Sequence, residues 1–276
     1  MKLNTSSELL ISKQGRRVAP TPEVLEYLDT TLPQSGLYES LRTYDRTPFR
    51  LDQHLERLQQ SAERMQYTLP ASLDDIHTWV LDIIGQALFD PQFLKLVVSG
   101  DEVMVFSRRL VIDSSVYEGV RAVTVSLQRA HPEVKQLNVI AQQRARSQAL
   151  RQGAYEALMV DNDGDIPEGV FSNLFWVREG QVFTRQKGAL AGITQAAVME
   201  CAGSAPAVHE GVLGQTHLKM LDELFLTQTS RGIVPILQVD DKKIGNGTIG
   251  PLTKLFMERF EALIQCECEH FPSKNR

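Results

Sequence analysis

Three groups that could act together in catalysis occur in order between the middle of the chain and residue 194. Lys135 supplies an amine, Glu168 supplies a carboxylate, and residues 191–194 (AGIT) open a segment with helical character. An amine can form a Schiff base, a carboxylate can hold a protonated ring nitrogen, and the first amides of a helix can bind a phosphate. Pyridoxal phosphate (PLP) requires these three functions from a protein. The order of the residues therefore predicts PLP chemistry.

The surroundings of these residues strengthen the prediction. A single lysine or glutamate is most often a solvated surface charge. Lys135, however, follows a polar segment that Pro132 interrupts and precedes an apolar run, which is typical of a domain junction, where clefts form. Glu168 begins a segment rich in large apolar residues. The amides of 192–194 and the hydroxyl of Thr194 could bind an anion at a helix start.

The elements before Lys135 follow from hydrophobic periodicity. Residues 36–51 predict a hairpin with a turn at 45–47, and a helix over 52–65, capped by Asp52, follows. A further helix is predicted over 73–89, and strands over 94–99, 102–107 and 119–127. The residues predicted to lie together beside the apolar stripe of the first helix are His54, Arg57 and Ser61.

The elements after Lys135 alternate between helices and strands without a regular βαβ order. The predicted helices cover 141–153, 194–202 and 251–264, and the predicted strands cover 155–160, 173–177, 181–184, 223–229 and 233–239, the first three joined as hairpins. This order predicts an α+β fold, and no glycine-rich dinucleotide loop occurs. We place an N-terminal domain at 1–127, a linker at 128–134 and a C-terminal domain at 135–276.

The composition excludes several classes of protein. With a net charge of −5 at pH 7 and an isoelectric point near 5.7, the 276-residue chain lacks the basic balance of most nucleic-acid-binding proteins. No apolar stretch suits a signal peptide or a membrane span. Three cysteines are too few for a disulfide framework. We therefore expect a cytoplasmic protein that binds neither nucleic acid nor a membrane.

Two clusters of potential metal ligands do not predict a metal site. Asp161, Asp163 and Asp165 lack the spacing and the closing glutamate of a calcium loop, and favour a turn. The second cluster, in residues 266–270, has two cysteines that point apart on a helix, and no second ligand pair accompanies it. We expect no metal ion.

Several motifs together resemble those of the class IV, fold type IV PLP-dependent aminotransferases. They are KQLN (135–138), EGVFSNLF (168–175), GIT (192–194) and FLTQT (225–229). The hairpin and its following helix are also similar, and the match runs from about residue 36 to about residue 256. This family includes branched-chain aminotransferases, D-amino acid aminotransferases and aminodeoxychorismate lyases.

The resemblance implies a role for each residue of the central motifs. Lys135 would form the Schiff base with PLP and then move a proton between the substrate's α-carbon and the cofactor. Glu168 would pair with the pyridine nitrogen and keep it protonated, so that the ring accepts electrons. Ile193 and Thr194 would bind the phosphate.

Three further assignments depend on position within the resemblance. Thr229 falls where the family has another phosphate-binding threonine, and Arg57, in the run HLERL, matches an arginine that reaches the phosphate. Tyr38 resembles a substrate-side tyrosine of D-amino acid aminotransferases. Ordinary strand roles stay open for Thr229 and Tyr38. Ser172 and Asn173 either support the cofactor or complete strand hydrogen bonds.

The implied fold has a small α+β N-terminal domain and a larger C-terminal pseudobarrel domain, with PLP between them. A homodimer is implied as well. The implied reaction is transamination between an amino acid and a 2-keto acid. The alternatives are pyruvate elimination by an aminodeoxychorismate lyase, and a protein of this fold that has lost turnover and serves in binding.

Two departures leave the substrate, and its L or D configuration, open. Asn138 is followed by Val139, whereas branched-chain enzymes usually have a tyrosine, so a standard branched-chain site is disfavoured. The segment 100–103 lacks the usual Arg-Gly, and Arg108 and Arg109 come later. The means of binding the substrate carboxylate are therefore not predicted.

Overall fold

The described residues form two compact units. The structure is a computed structural model that describes residues 9–29, 36–203 and 206–268. The first unit takes in the described residues of Met1–Val111, Val134–Ile140 and Ile264–Arg276, and the second takes in those of Ile112–Glu133 and Ala141–Leu263. Each unit is thus made of segments that are separated in sequence. The two domains predicted at 1–127 and 135–276 are continuous segments, and they stay a prediction.

The first unit contains an antiparallel six-stranded sheet in the order β2-β1-β6-β5-β3-β4. Its strands are β1 (Leu9–Lys13), β2 (Arg16–Arg17), β3 (Gly36–Tyr44), β4 (Thr47–Pro48), β5 (Gln92–Ser99) and β6 (Glu102–Arg109). Its helices are α1 (Pro22–Asp29), α2 (Leu51–Arg64) and α3 (Leu73–Gln86). Apolar residues from α2, α3 and one face of the sheet form its core, among them Leu55, Leu58, Ile76, Val80, Leu94 and Leu96.

The predicted hairpin is confirmed, whereas the predicted helix cap is wrong. Asp45 and Arg46 have φ angles of 45° and 63°, as a tight two-residue hairpin turn between β3 and β4 requires. The N-cap of α2 is Arg50, in the left-handed conformation and without a side-chain cap. Asp52 therefore lies inside the first turn, where its charge still favours the positive end of the helix.

Successive side chains of β3 point to opposite faces of the first sheet. Glu39 shares the core face with Leu37 and Leu41, while Tyr38 lies on the other face, beside Val97 of the paired strand β5. This alternation separates the two polar clusters of the first unit.

The second unit contains an eight-stranded mixed sheet in the order β11-β10-β9-β12-β13-β7-β8, with β14 paired to β13. The strands are β7 (Val120–Ser126), β8 (Glu156–Val160), β9 (Asn173–Arg178), β10 (Gln181–Thr184), β11 (Val208–Glu210), β12 (Glu223–Gln228), β13 (Gly232–Val239) and β14 (Lys242–Lys243). The helices are α4 (Ile140–Arg151), α5 (Ile193–Ala202) and α6 (Pro251–Cys268), although the first residue of α4 and the last turn of α6, from Ile264, belong to the first unit. Two short 3-10 helices cover Ser114–Glu118 and Gln215–Met220.

One of the two predicted hairpins of the second unit is wrong. β9 and β10 pair antiparallel as predicted. β8, however, pairs parallel with β7, and not as a ladder with β9. The intervening α4 supplies the crossover that a parallel pair needs, and sequence alternation alone does not reveal the partner of a strand. No helix in the part of the chain that the structure describes has the length and apolar character needed to cross a membrane.

Candidate functional site

Lys135 and Tyr38 lie together in the first unit. The backbone N–H of Tyr38 donates to the carbonyl of Lys135 at 3.1 Å, and that of Leu137 donates to the carbonyl of Gly36 at 2.9 Å. These bonds hold the Lys135 segment against β3. The Nζ atom of Lys135 lies 4.6 Å from the centre of the Tyr38 ring, within the range of a cation–π contact. The predicted amine and the predicted substrate-side tyrosine are therefore neighbours.

Arg57 and Glu39 form a buried ion pair on the other face of β3. Glu39 is fully buried and accepts hydrogen bonds from Arg57 Nε at 2.9 Å and Nη2 at 2.6 Å. It also lies 2.7 Å from Nδ1 of His54. The helical margin predicted to carry His54, Arg57 and Ser61 is confirmed, since all three are buried. The predicted contact of Arg57 with a phosphate stays a prediction.

The charge states in this cluster follow from opposing effects. Burial works against ionisation of Glu39, but the Arg57 guanidinium and the His54 hydrogen bond outweigh it and lower the pKa of Glu39 to about 2. Burial lowers the pKa of His54, and the positive charges of Arg57 and Lys135 lower it further. The hydrogen bond and the negative charge of Glu39 act in the opposite direction. An ionised Glu39 beside a neutral His54 fixes the tautomer, because Nδ1 must carry the proton that Glu39 accepts.

Sequence reasoning missed the role of Glu39, although the signal was present. Glu39 alternates in phase with Leu37 and Leu41, which places a carboxylate on the apolar face of a strand. A charge in that position must be paired. The partner could not be identified from the strand alone, because Arg57 comes from a separate helix.

In the second unit, Glu168 comes directly before the turn that leads into β9 and is 3% exposed. Its Oε1 accepts a hydrogen bond from Nη1 of Arg129 at 2.8 Å, and its Oε2 accepts one from the backbone N–H of Leu190 at 3.1 Å. Its carbonyl accepts from Met159 N at 3.0 Å. Hydrogen bonds from a guanidinium and an amide stabilise the ionised carboxylate. Sequence reasoning missed Arg129, since nothing in its polar segment distinguishes it.

A second buried carboxylate supports the turn that carries Glu168. Glu156 accepts hydrogen bonds from the Ser172 hydroxyl at 3.1 Å and pairs with Arg146 at 3.2 Å. Burial raises the pKa of Glu156 despite the opposing charge of Arg146. Gly169 donates to the carbonyl of Ser172 at 2.8 Å, and a Cβ at Gly169 would collide with the Ser172 hydroxyl. Ser172 thus stabilises the turn through its side chain.

Asn173 connects this turn region to the loop before α5. Its Nδ2 donates to the carbonyl of Leu190 at 2.8 Å. Gly192 approaches the Asn173 amide so closely that a Cβ there would collide with Oδ1. The Glu168 carboxylate and the Asn173 amide therefore both hold the chain at Leu190, two residues before the N-cap of α5.

The start of α5 has the properties of an anion site. The predicted helix is confirmed, with Gly192 as its N-cap and without a hydrogen bond from a capping side chain. The first hydrogen bond within the helix runs from the N–H of Ala196 to the carbonyl of Gly192, at 2.9 Å. The N–H groups of Ile193 and Thr194 precede that bond and have no acceptor within the helix. Together with the helix dipole, these amides suit a phosphate.

Thr229 lies in the turn between β12 and β13, so the alternative of an ordinary strand threonine is wrong. It is half-buried. Two residues earlier, Thr227 is buried and lies opposite Asn173, and its hydroxyl has no hydrogen-bond partner among the described residues. A buried hydroxyl without a partner beside the Asn173 amide is consistent with a polar ligand in this part of the second unit.

Each unit therefore groups some of the predicted residues. The first unit brings Tyr38 and Lys135 together and holds Arg57 on the opposite sheet face. In the second unit, Glu168 is joined through Leu190 to the segment that leads into Ile193 and Thr194. Within the residues described, no group of three or more potential metal ligands occurs, and His270 lies outside those residues.

The features of PLP find matching groups in these residues. A protonated pyridine nitrogen needs a buried, ionised carboxylate, which Glu168 with Arg129 provides. A phosphate needs amides that are not engaged in the helix, which Ile193 and Thr194 provide. An aldehyde needs an amine, which Lys135 provides. By this test of donor chemistry the residues present fit the cofactor.

Comparisons with known proteins agree with this chemistry. The sequence profile of the family described as amino-transferase class IV matches residues 36–239. The branched-chain-amino-acid aminotransferase of Escherichia coli is 28% identical over 265 residues, which cover 85% of this chain and 86% of that protein.

Solved structures are similar over nearly the whole chain. The branched-chain aminotransferase of Escherichia coli superposes with a TM-score of 0.83 and 26% identity, covering 96% of this chain and 97% of that one. A putative branched-chain amino acid aminotransferase of Thermotoga maritima superposes with a TM-score of 0.82 and 28% identity, covering 93% of this chain and 96% of that one. The predicted α+β, fold type IV architecture is confirmed by these similarities.

A further solved relative carries a form of the cofactor. It is a branched-chain amino acid aminotransferase solved with pyridoxamine 5'-phosphate, and it superposes with a TM-score of 0.81 and 25% identity over 95% of each chain. Pyridoxamine 5'-phosphate is the amine form of PLP, so this relative binds the group that the donor chemistry of the present chain fits.

Proposed function

The chain belongs to the class IV aminotransferase family and carries out PLP-dependent transamination, and we propose that Lys135 is the residue on which this reaction depends. PLP supplies an aldehyde for the amino group and a ring that accepts electrons from the α-carbon. The observation that carries the assignment is the position of Lys135, whose backbone is bonded to β3 and whose Nζ lies 4.6 Å from the Tyr38 ring.

Lys135 acts in two ways in this proposal. Its amine would hold the aldehyde of bound PLP through a covalent bond. The same amine would accept the proton of the substrate's α-carbon and donate it again, as a positioned general base and acid does. Tyr38 limits the positions of the amine by covering it with an aromatic ring.

Glu168 keeps the ring nitrogen protonated in this proposal. Its carboxylate is held by Arg129 at 2.8 Å and by the amide of Leu190 at 3.1 Å, and this supports a fixed orientation and a lasting negative charge. A carboxylate held in this way would keep the ring nitrogen of bound PLP protonated, so that the ring could accept electrons from the α-carbon.

The phosphate is assigned to the N-terminus of α5. The amides of Ile193 and Thr194 and the Thr194 hydroxyl are the proposed ligands, with Thr229 and Arg57 as further ones. The unengaged amides and the low exposure of Thr194, 5%, support the first two. The bidentate pairing of Arg57 with Glu39 supports a rigid guanidinium at its position.

The absorption spectrum of the purified protein tests the proposal. We expect a visible band of bound PLP that fades with an amino acid, returns with a 2-keto acid, and is absent in Lys135→Ala. L- and D-leucine, L-glutamate and D-alanine are tested separately, and Lys187→Ala, at an exposed position, is the control. Pyruvate release from aminodeoxychorismate without a keto acid would favour lyase activity instead. A Lys135→Ala protein with unchanged turnover would contradict the assignment.

Three further statements belong to this proposal. Amino acids and 2-keto acids are the substrates, and the names of the relatives make branched-chain amino acids the first to test. Val139, where branched-chain enzymes usually have a tyrosine, still predicts a departure from their standard site. We also propose a homodimer and a cytoplasmic location, which sedimentation and fractionation would test.

A further inference from the structure

A buried carboxylate lies against the segment that carries Glu168. Glu156 is the first residue of β8, and its side chain is fully buried. A Cβ atom added at Gly169, the residue after Glu168, would lie 3.2 Å from Cγ of Glu156. The Glu156 side chain therefore packs against the backbone that follows Glu168.

Ser172 connects this carboxylate to the turn after Glu168. Its hydroxyl donates to Oε2 of Glu156 at 3.1 Å, and its carbonyl accepts from the N–H of Gly169 at 2.8 Å. A Cβ at Gly169 would collide with the same hydroxyl, so the backbone of Gly169 lies directly against it. The side-chain hydrogen bond of Ser172 therefore fixes the turn 169–172 to the start of β8.

The backbone of this segment is fastened to the same strand. The N–H of Met159 donates to the carbonyl of Glu168 at 3.0 Å, and the N–H of Val170 donates to the carbonyl of Ala157 at 2.9 Å. Glu168 therefore takes its position from β8, and the Glu156 side chain is the part of β8 that lies against the peptide after Glu168.

Glu156 is itself held in place from several elements. Its Oε1 accepts from the N–H of Ala157 at 3.0 Å, and its Oε2 lies 3.2 Å from Nη1 of Arg146, a residue of α4. A buried ion pair commonly contributes no more to stability than apolar packing of the same volume. The place of this pair beside the Glu168 segment points instead to a role in positioning.

The position of Glu168 matters for the reaction of the proposed function. A carboxylate stabilises the proton on a ring nitrogen only at hydrogen-bonding distance and in line with the N–H. Groups that act in a reaction must be held to within about 0.5 Å, which requires support from neighbouring hydrogen bonds. Arg129 and the amide of Leu190 support the carboxylate of Glu168, whereas Ser172 and Glu156 support its backbone.

We propose that Glu156 is a positioning residue, which acts through the Ser172 hydroxyl to set the place of Glu168 at the ring nitrogen of bound PLP. The proposal rests on the proposed function, in which Glu168 keeps that nitrogen protonated. It does not require Glu156 or Ser172 to touch the cofactor. Loss of their hydrogen bond should loosen the turn 169–172 and weaken the hold of Glu168 on the proton.

Nuclear magnetic resonance of the PLP-loaded protein tests the proposal without turnover. The cofactor carries the heavy nitrogen isotope in its ring, and the resonance of this nitrogen reports whether it is protonated as the pH is raised. We expect the nitrogen to lose its proton about one pH unit lower in Ser172→Ala and in Glu156→Gln than in the natural protein, which corresponds to about tenfold weaker binding of the proton. Glu168→Gln should give a larger shift.

Glu223→Gln is the matched control. Glu223 is also a buried glutamate at the start of a strand of the second unit, but its carboxylate accepts from the amides of Leu252 and Thr253 in α6. This variant should unfold at a lower urea concentration and leave the pH of proton loss unchanged. Ser172→Thr, which keeps the hydroxyl, should leave it unchanged as well.

An unchanged pH of proton loss in Ser172→Ala or in Glu156→Gln, together with a shift in Glu168→Gln, would overturn the proposal. An equal shift in Glu223→Gln would also overturn it, because it would indicate a general loosening of the second unit. If Glu156→Gln does not fold, Ser172→Ala decides, because that variant keeps the pair of Glu156 with Arg146. Failure of the proposed function is distinguishable: Glu168→Gln itself would then leave the pH of proton loss unchanged, and the proposal would fall with it.

Discussion

The two units each contain a buried carboxylate paired with an arginine, and the two pairs differ in what surrounds them. Glu39 accepts three hydrogen bonds from side chains of α2, two from Arg57 and one from His54. Glu168 accepts hydrogen bonds from the side chain of Arg129 and from the backbone of Leu190, close to the start of α5. The first carboxylate fastens a helix to its sheet, and the second fastens the loop before α5. The surroundings of a buried ion pair, and not its presence alone, therefore indicate what it stabilises.

The largest expected effect is on stability, from Glu39→Gln. Removing this charge leaves the Arg57 guanidinium buried without its counter-ion, which typically costs about 3–5 kcal/mol of unfolding free energy. Urea unfolding followed by circular dichroism measures the loss. Glu102→Gln is the control, because the Glu102–Lys13 pair is about a third exposed and should contribute less than about 1 kcal/mol. A loss no larger than that of the control would contradict the structural role of Glu39.

The next effect is on turnover, from Glu168→Gln. If Glu168 stabilises charge on the cofactor, kcat falls about 100- to 1,000-fold, while the visible band of bound PLP persists. Unfolding free energy should change less than in Glu39→Gln, since the backbone amide of Leu190 is among the groups that hold the Glu168 side chain. Steady-state kinetics and urea unfolding of both variants make the comparison. If Glu168→Gln keeps its kcat, or loses it only in proportion to the fraction of folded protein, the proposed catalytic role of Glu168 would be contradicted.

A smaller effect is a dependence of the unfolding free energy on pH, which comes from Glu39. The folded pKa of Glu39, about 2, lies below the unfolded value of about 4.3. The unfolded state therefore binds more protons between these values, and the stability from Glu39 is present above the upper value and disappears as the pH falls towards 2. The difference in unfolding free energy between the natural protein and Glu39→Gln should shrink between pH 5 and pH 3. A constant difference over that range would argue against an ionised Glu39.

The smallest effect is expected from Arg129→Gln. The variant removes one charge-assisted hydrogen bond from Glu168 and leaves the carboxylate in place, so kcat should fall about tenfold with little change in KM. Arg151→Gln, at an exposed helix end, is the control. If kcat were unchanged in Arg129→Gln, the orientation of Glu168 would not depend on Arg129.

Much of the fold could be predicted because its signals are local. The turn at Asp45 and Arg46, the start of α5 and the apolar stripe of α2 each depend on a few neighbouring residues. Lys135 and Glu168 stand within short motifs, and their roles stay predictions that the resemblance of those motifs implies.

The rest depends on contacts between distant segments, which a local pattern does not encode. The pairing of β8 with β7 could not be read from alternation, since every strand alternates in the same way. Arg129 became meaningful only when its guanidinium was found on Glu168.

The most direct test of the central claim is chemical trapping of the lysine that holds PLP. Borohydride reduction of the loaded protein makes that bond permanent, and mass spectrometry of its peptides then identifies the modified residue. The account predicts the cofactor mass on Lys135 and its absence from Lys95, although both lysines contact the Tyr38 ring. Modification of Lys95, or of any other lysine in place of Lys135, would contradict it.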